Sequence, residues 1–157
     1  FGLLRPSTGQ GPEEAIVFKF CKHSRFTLQS EQMAAELAWH LEVNAPPSRL
    51  ILKWQDDEEW KELQVAAQPL CDALADALDK RRTLLVLQFI AGSSMDRETR
   101  AWEAHHLASS AQALGRLLVL DLLLGNADRL PVKSLAWRGN PSNVIWGSSP
   151  VAEDASS

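Results

Sequence analysis

Cysteine is scarce in this chain. Only Cys21 and Cys71 occur, far apart and in no spacing that suits a metal or a redox pair. That excludes a disulfide-stapled miniprotein, a zinc ribbon and a thioredoxin-type site. Both have apolar neighbours, so reduced, buried thiols of a cytoplasmic protein are expected. A basic surplus is lacking too, with 16 Lys and Arg against 20 Asp and Glu and a formal net charge of -4. No nucleic acid is therefore expected as a partner, since phosphates reward a positive surface. Long hydrophobic runs are missing. The longest, Leu117 to Leu124, is too short to span a bilayer and contains Asp121, so no membrane insertion is expected. No signal-peptide pattern opens the chain, and there are no repeats or low-complexity tracts. Tyrosine is absent while six tryptophans are present, an imbalance with no evident physical reason.

What is present is ordinary globular composition, 45% apolar and 23% charged, which excludes a wholly disordered chain. At 157 residues it is one domain or part of one. It opens on Phe1 rather than Met and closes on the polar "VAEDASS", so an excised piece is expected. No pattern specifies an oligomeric state.

"AIVFKF", Ala15 to Phe20, reads as a strand, preceded by a turn or loop at "GPEE". Ser30 is the expected cap of a helix reaching Val43, with Met33, Ala34, Leu37, Ala38 and Leu41 at helical spacing. A strand follows Pro46-Pro47 at about Arg49 to Trp54. A second helix is expected from Asp57 to about Lys80, its apolar stripe made of Leu63, Ala66, Ala67, Leu70, Leu74 and Leu78. "TLLVLQFI", Thr83 to Ile90, reads as a buried strand. Helix is expected from about Glu98 to Leu124, broken near Ser109-Ser110, then a loop at Gly125 and a short strand in "NVIW". The class is α+β, with a sheet-bearing first half and a helical second half.

Lys19 interrupts an apolar strand, sharing one face with Val17 while Phe18 and Phe20 take the other. It reads either as a lysine guarding a sheet edge or as an ammonium reaching a phosphate. In the following helix Glu31 falls at the rim of the apolar stripe, and Glu36 points nearly opposite, to water. If either carboxylate meets Lys19, it is Glu31; a first-turn acid favoured by the helix dipole would explain Glu31 equally.

The most specific stretch is "LDLLLGNADRLP". An apolar helix stops at Gly125, and Asn126, Asp128 and Arg129 occupy the turn beyond it. Downstream, "GNPSNVIW" sets Asn143 directly before an aliphatic strand. Phosphoryl-transfer enzymes use a loop Asp to accept the substrate hydroxyl proton and a following Asn to hold magnesium. The plain alternative is that Asn126, Asp128 and Asn140 are turn formers.

Taken in series, a strand lysine, a helix glutamate, a buried strand ending in "QFIAGSS", a helix, an Asp loop and an Asn before a strand follow the order of a protein-kinase-like fold. "VFKF", "SEQMAAELAWHL", "LLVLQFIAGSSM", "LGRLLVLDLLLGNADRLP" and "GNPSNVIW" together resemble the catalytic domain of the actin-fragmin kinase family. In plants and algae that family also supplies the kinase part of tubulin-phosphorylating, phosphatase-linked proteins. The similarity covers nearly the whole chain. It implies that Lys19 contacts the phosphates of ATP, that Glu31 orients Lys19, and that Gln88, Phe89 and Ile90, running on to Gly92, form the hinge beside adenine. It further implies Asp128 as catalytic base and Asn143 as a ligand of Mg2+. The domain would divide into an N-terminal lobe, 1-90, and the hinge, helices and catalytic loop of a C-terminal lobe, 91-157.

Three departures accompany the resemblance. The Asp128 to Asn143 spacing is longer than usual, implying an inserted loop at "VKSLAWRG". "TGQG" is a weak substitute for a glycine-rich loop. No second magnesium-binding Asp follows Asn143 in a suitable strand, Asp154 lying in a polar stretch, so truncation before that residue is expected. The leading expectation is an atypical serine/threonine kinase acting on a cytoskeletal protein, actin or tubulin by family analogy. A catalytically inactive pseudokinase or binding module of the same fold is the alternative. A plain helical interaction protein, in which "NADRLP" is only a turn, is a third reading.

Overall fold

A computed structural model describes residues 2-4, 14-21 and 25-147. The "TGQG" stretch and Asp154 lie outside the described residues. The chain forms two compact units, Phe1–Glu36 with Ala45–Phe89 and Leu37–Asn44 with Ile90–Ser157. Helix and strand are mixed, as an α+β chain requires.

In the first unit, β1 (Gly2–Leu4), β2 (Glu14–Lys19), β3 (Ser48–Leu52) and β4 (Thr83–Gln88) form an antiparallel sheet ordered β1-β2-β4-β3. Leu84 and Leu85 point to opposite faces of β4, and both are fully buried. A central strand covered on both sides needs the unbroken apolar run that "TLLVLQ" supplies. On one face Phe18, Phe20, Val86, Leu84 and Ile51 pack with Trp60, Ala67 and Leu78. These last belong to α2 (Asp57–Ala67) and α3 (Asp72–Lys80). Trp60 is wholly buried, and its indole N–H donates to the Leu78 carbonyl at 3.3 Å, which satisfies the ring's polar edge. The other face carries Lys19, Leu85 and Leu50 in register. The helix α1 (Arg25–His40) is tied to this face where the Ser48 hydroxyl donates to Gln32 Oε1 at 3.1 Å.

Several boundaries depart from the sequence pattern, each for a local reason. The helix α1 begins by Arg25, so Ser30 is not its cap; its hydroxyl donates back to the Phe26 carbonyl, as a helix-interior serine does. The earlier start buries Leu28 and leaves Met33 exposed. The expected helix from Asp57 to Lys80 is two helices. Pro69 has no N–H to continue the ladder, and Gln68 to Cys71 turn between α2 and α3, leaving Leu70 exposed. Cys71 sits exposed at that turn rather than buried, and Cys21 is half-buried. The strands end at Leu52 and Gln88, short of Trp54 and Ile90.

In the second unit a 3-10 turn, Arg100–Trp102, precedes α4 (Ala104–Leu124), which runs unbroken through Ser109 and Ser110. Ser109 donates to the His106 carbonyl, so the helix absorbs its hydroxyl instead of breaking there. By length and composition α4 would suffice to cross a bilayer. Two of its charged side chains, Arg116 and Asp121, are paired within the protein. Arg116 pairs with Glu42 at 2.7 Å, and Asp121 is fully buried against Arg129. Two short strands, β5 (Ser93–Ser94) and β6 (Ile145–Trp146), pair antiparallel. Gly92 passes so close that a Cβ would lie 2.3 Å from the Trp146 carbonyl oxygen. "NVIW" is thus a strand only from Ile145, and a 3-10 turn, Pro141–Asn143, takes its start.

Ahead of α4, Glu98 is buried, its side chain 5% exposed. It accepts from Arg100 Nε at 2.9 Å, Nη2 at 2.7 Å and the Arg100 backbone N–H at 2.9 Å. The guanidinium bonds, and then the N–H, hold its carboxyl at about 2, below its ordinary 4.5. A depressed carboxyl stabilises the fold above its unfolded value, and that contribution is lost as pH falls from about 4.5 through about 2. Thermal melts across this window should show a steeper fall in Tm for the parent than for Glu98→Gln. Parallel acid limbs would mean that the pair contributes no stability.

Candidate functional site

The site residues expected from the sequence fall into two groups, one in each unit. In the first unit, β2 ends on Lys19, and the alternation that sends Phe18 into the core turns Lys19 to the face bearing α1. Its Nζ donates to both Glu31 carboxylate oxygens at 2.7 Å. Glu31 stands in the second turn of α1, so a first-turn acid is not what the structure contains. Glu36 is exposed and accepts from Gln32 at 3.0 Å, well away in role from Lys19. β2 lies between β1 and β4; it pairs with β4 at Lys19 itself, whereas the described pairing with β1 covers only Glu14 to Ile16. The pair is half in water, the side chains 50% and 32% exposed, which leaves the ammonium reachable by a ligand.

Of the residues expected as the hinge, Gln88 ends β4, and Phe89 and Ile90 follow it. The Gln88 N–H donates to the Pro47 carbonyl and the Phe89 N–H to the Ala15 carbonyl, each at 2.9 Å. Both N–H groups are therefore committed to the sheet. A purine reading this backbone must use carbonyls, or the N–H groups from Ile90 onward.

In the second unit the question raised by "LDLLLGNADRLP" has a structural answer. Gly125 takes the left-handed conformation, φ 63°, that ends α4. The Asn126 N–H then closes on the Asp121 carbonyl at 2.8 Å. Asp121 is fully buried one turn inside the helix. Its Oδ1 accepts from Asn126 Nδ2 at 2.9 Å and Arg129 Nε at 2.8 Å. Asn126 in turn accepts the Asp128 N–H through Oδ1 at 3.2 Å. A buried carboxylate thus pins both flanks of Asp128, while Asp128 itself is exposed.

Asn143 reaches the same place from the other side. Its Nδ2 donates to Asp128 Oδ2 and to the Asp128 carbonyl, both at 2.9 Å. Asn140 caps the turn that carries it by accepting the Ser142 N–H at 3.3 Å. Among the described residues no donor meets Asp128 Oδ1, so one carboxylate oxygen stays open for a proton. Asn143 is not directly in the strand's mouth, since Val144 intervenes before β6.

The intervening loop is compact. Val132 and Trp137 form a bridge around a 3-10 turn, Lys133–Leu135. At its neck Gly139, φ 63°, lies against the backbone of Leu130 and Pro131, where a Cβ would stand 2.4 Å from the Pro131 nitrogen. Its N–H donates to the Ala127 carbonyl and that of Asn140 to the Arg129 carbonyl. Sequence spacing revealed the insertion but not this clasp. The role of Glu98 with Arg100 was also missed, though a two-residue acid–base spacing is visible in "RETR".

The structure thus holds a lysine–glutamate pair on a sheet and a helix, and a braced Asp–Asn pair on a loop. Comparison with known proteins gives the family: residues 4-156 match the actin-fragmin kinase catalytic domain, and the chain belongs to that family. It is also similar to the dual specificity protein phosphatase PHS1 of Arabidopsis thaliana, 36% identical over 148 residues. That match covers 84% of this chain and 16% of the relative, so the chain spans about a sixth of the length of the curated relative it matches.

Proposed function

We propose that the protein is an ATP-dependent serine/threonine kinase of this family, transferring the γ-phosphoryl group to a hydroxyl of a cytoskeletal protein, actin or tubulin by analogy. The observation that carries the reading is the Asp128–Asn143 pair, fixed from below by buried Asp121. Asp128 takes the proton as the hydroxyl oxygen bonds to phosphorus and the bond to the leaving ADP oxygen breaks. Lys19, oriented by Glu31, neutralises phosphate charge. Hinge carbonyls of Gln88 and Phe89, with Ile90, lie beside adenine.

The side-chain oxygen of Asn143 suits Mg2+, a hard cation that binds few protein ligands and completes its shell with phosphate and water. When bound, the ion would screen the phosphate oxygens. Among the described residues no group of three His, Cys, Asp or Glu side chains gathers for a metal, so Asn143 would be one protein ligand beside phosphate oxygens and water.

Calorimetric titration of the complete protein with ATP and magnesium tests this. Lys19→Ala should weaken binding about tenfold or more, the usual cost of deleting a charge-assisted hydrogen bond. Unchanged affinity would remove Lys19 from the site. A second reading, an inactive domain that keeps the fold, is favoured by the relative's name, which describes a phosphatase. ATP bound without phosphate transfer would support that reading.

A further inference from the structure

A cavity in the first unit lies away from the Lys19–Glu31 pair, where the turn after β3 meets the turn before β4. It holds about 360 Å³ and is lined by Lys53, Trp54, Asp79, Lys80 and Arg82. The Lys53 N–H donates to the Arg82 carbonyl at 3.0 Å, which locks the two turns side by side. Cations are thus concentrated on a fixed base in a chain whose net charge is -4.

These cations are not all neutralised. Lys80 pairs with Asp76 at 2.6 Å; Asp79 accepts from the neutral Gln64 Nε2, also at 2.6 Å, and keeps its charge, one acid against Lys53 and Arg82. Lys53 stands 5.8 Å over the buried Trp60 ring. Among the described residues neither Lys53 nor Arg82 is in an ion pair. Beside them Trp54 is 57% exposed, a large apolar residue in water next to two cations outside any ion pair.

We propose that this cavity docks a short acidic segment of a protein partner, its carboxylates on Lys53 and Arg82 and an apolar or aromatic side chain on Trp54. The surroundings select that occupant. Arg presents a planar fork that matches a carboxylate, and the indole rewards an apolar neighbour that a bare polyanion lacks. Asp56 to Glu59 follow Trp54 in the chain, so the positive patch is small and bordered by acid. A long uniform polyanion, nucleic acid or an anionic bilayer, would meet that acid beyond the patch. A short motif would not. The inference uses the first unit alone and does not depend on phosphoryl transfer, so failure to bind ATP would leave it standing.

Fluorescence polarisation with the full chain tests it. The probe is a labelled short peptide in which glutamates flank one phenylalanine. The parent should bind it, with affinity falling several-fold as ionic strength rises from about 0.05 to 0.5 M. Arg82→Glu, at an exposed side chain, should weaken binding about tenfold or more. Trp54→Ala should weaken it about fivefold. Circular dichroism melts confirm that each variant is folded; should one be unfolded, Lys53→Gln replaces it with the same expectation. No binding by the parent, equal binding of a peptide with glutamine in place of glutamate, or no loss in folded variants would overturn the proposal. So would tighter binding to a single-stranded oligonucleotide or to phosphatidylserine vesicles.

Discussion

Asp128→Asn in the complete protein should slow phosphate transfer by about two to four orders of magnitude, the usual range for loss of a general base. Folding and ATP affinity should hardly change. The substitution is nearly isosteric, and Asn143 can still donate to the amide oxygen that replaces Asp128 Oδ2. The Asn126 side chain accepts from the Asp128 backbone N–H, a bond that survives as well. What disappears is the open oxygen able to accept a proton. Steady-state kinetics decide the matter. A variant as active as the parent would make the loop a turn and nothing more, and the proposed mechanism would fall with it.

The second large effect is on stability. Arg129→Ala removes the cation facing a carboxylate that is 0% exposed. Asp121 Oδ2 already lacks a hydrogen-bond partner, so the variant would leave a buried charge held mainly by Asn126. Breaking a buried pair from one side costs about 3–5 kcal/mol. Arg129 is 25% exposed, and water admitted there should bring the cost to the low end, about 3 kcal/mol. For a chain of this size that is a fall in Tm of about 6–12 °C. The double variant Asp121→Leu with Arg129→Met should melt above Arg129→Ala, because it leaves no orphaned charge. A double variant melting lower would point to hydrogen bonding, not desolvation, as the cause. Asp121→Asn, which keeps the shape, should lower melting more than rate.

How far the sequence could be read followed the physics of each signal. Alternation is local and strong, so the strand holding Lys19 and the face it occupies were legible. So was the choice of Glu31 over Glu36, since a helical wheel needs only relative angles. The start of that helix was not, because Ser30 satisfies a cap rule and also bonds within a helix. The break at Pro69 was overridden by an apolar stripe that continues at nearly helical phase across it. Trp60, the centre of the first unit's core, was hidden in the acidic "DDEEW". In the candidate site, residue types and order carried the Asp128 and Asn143 assignments. The bracing carboxylate was visible only as an interruption in an apolar helix, because burial depends on neighbours distant in sequence. The commitment of the Gln88 and Phe89 N–H groups to Pro47 and Ala15 is likewise a matter of pairing, which no single segment encodes.

The backbone clasp at Gly139 has a consequence for how such loops can diverge. Length can change at the tip around Lys133–Leu135, which is exposed, without moving either end of the loop. The neck is different. There two stretches of main chain touch with no room for a single carbon between them, and any side chain would wedge Leu130 and Pro131 away from Gly139. Asp128 and Asn143 are the residues just outside that neck, so their separation is gauged by a backbone-to-backbone contact and not by the number of residues in the loop. Homologous chains could therefore carry longer or shorter excursions here and keep the same distance between the two side chains, provided the glycine stays.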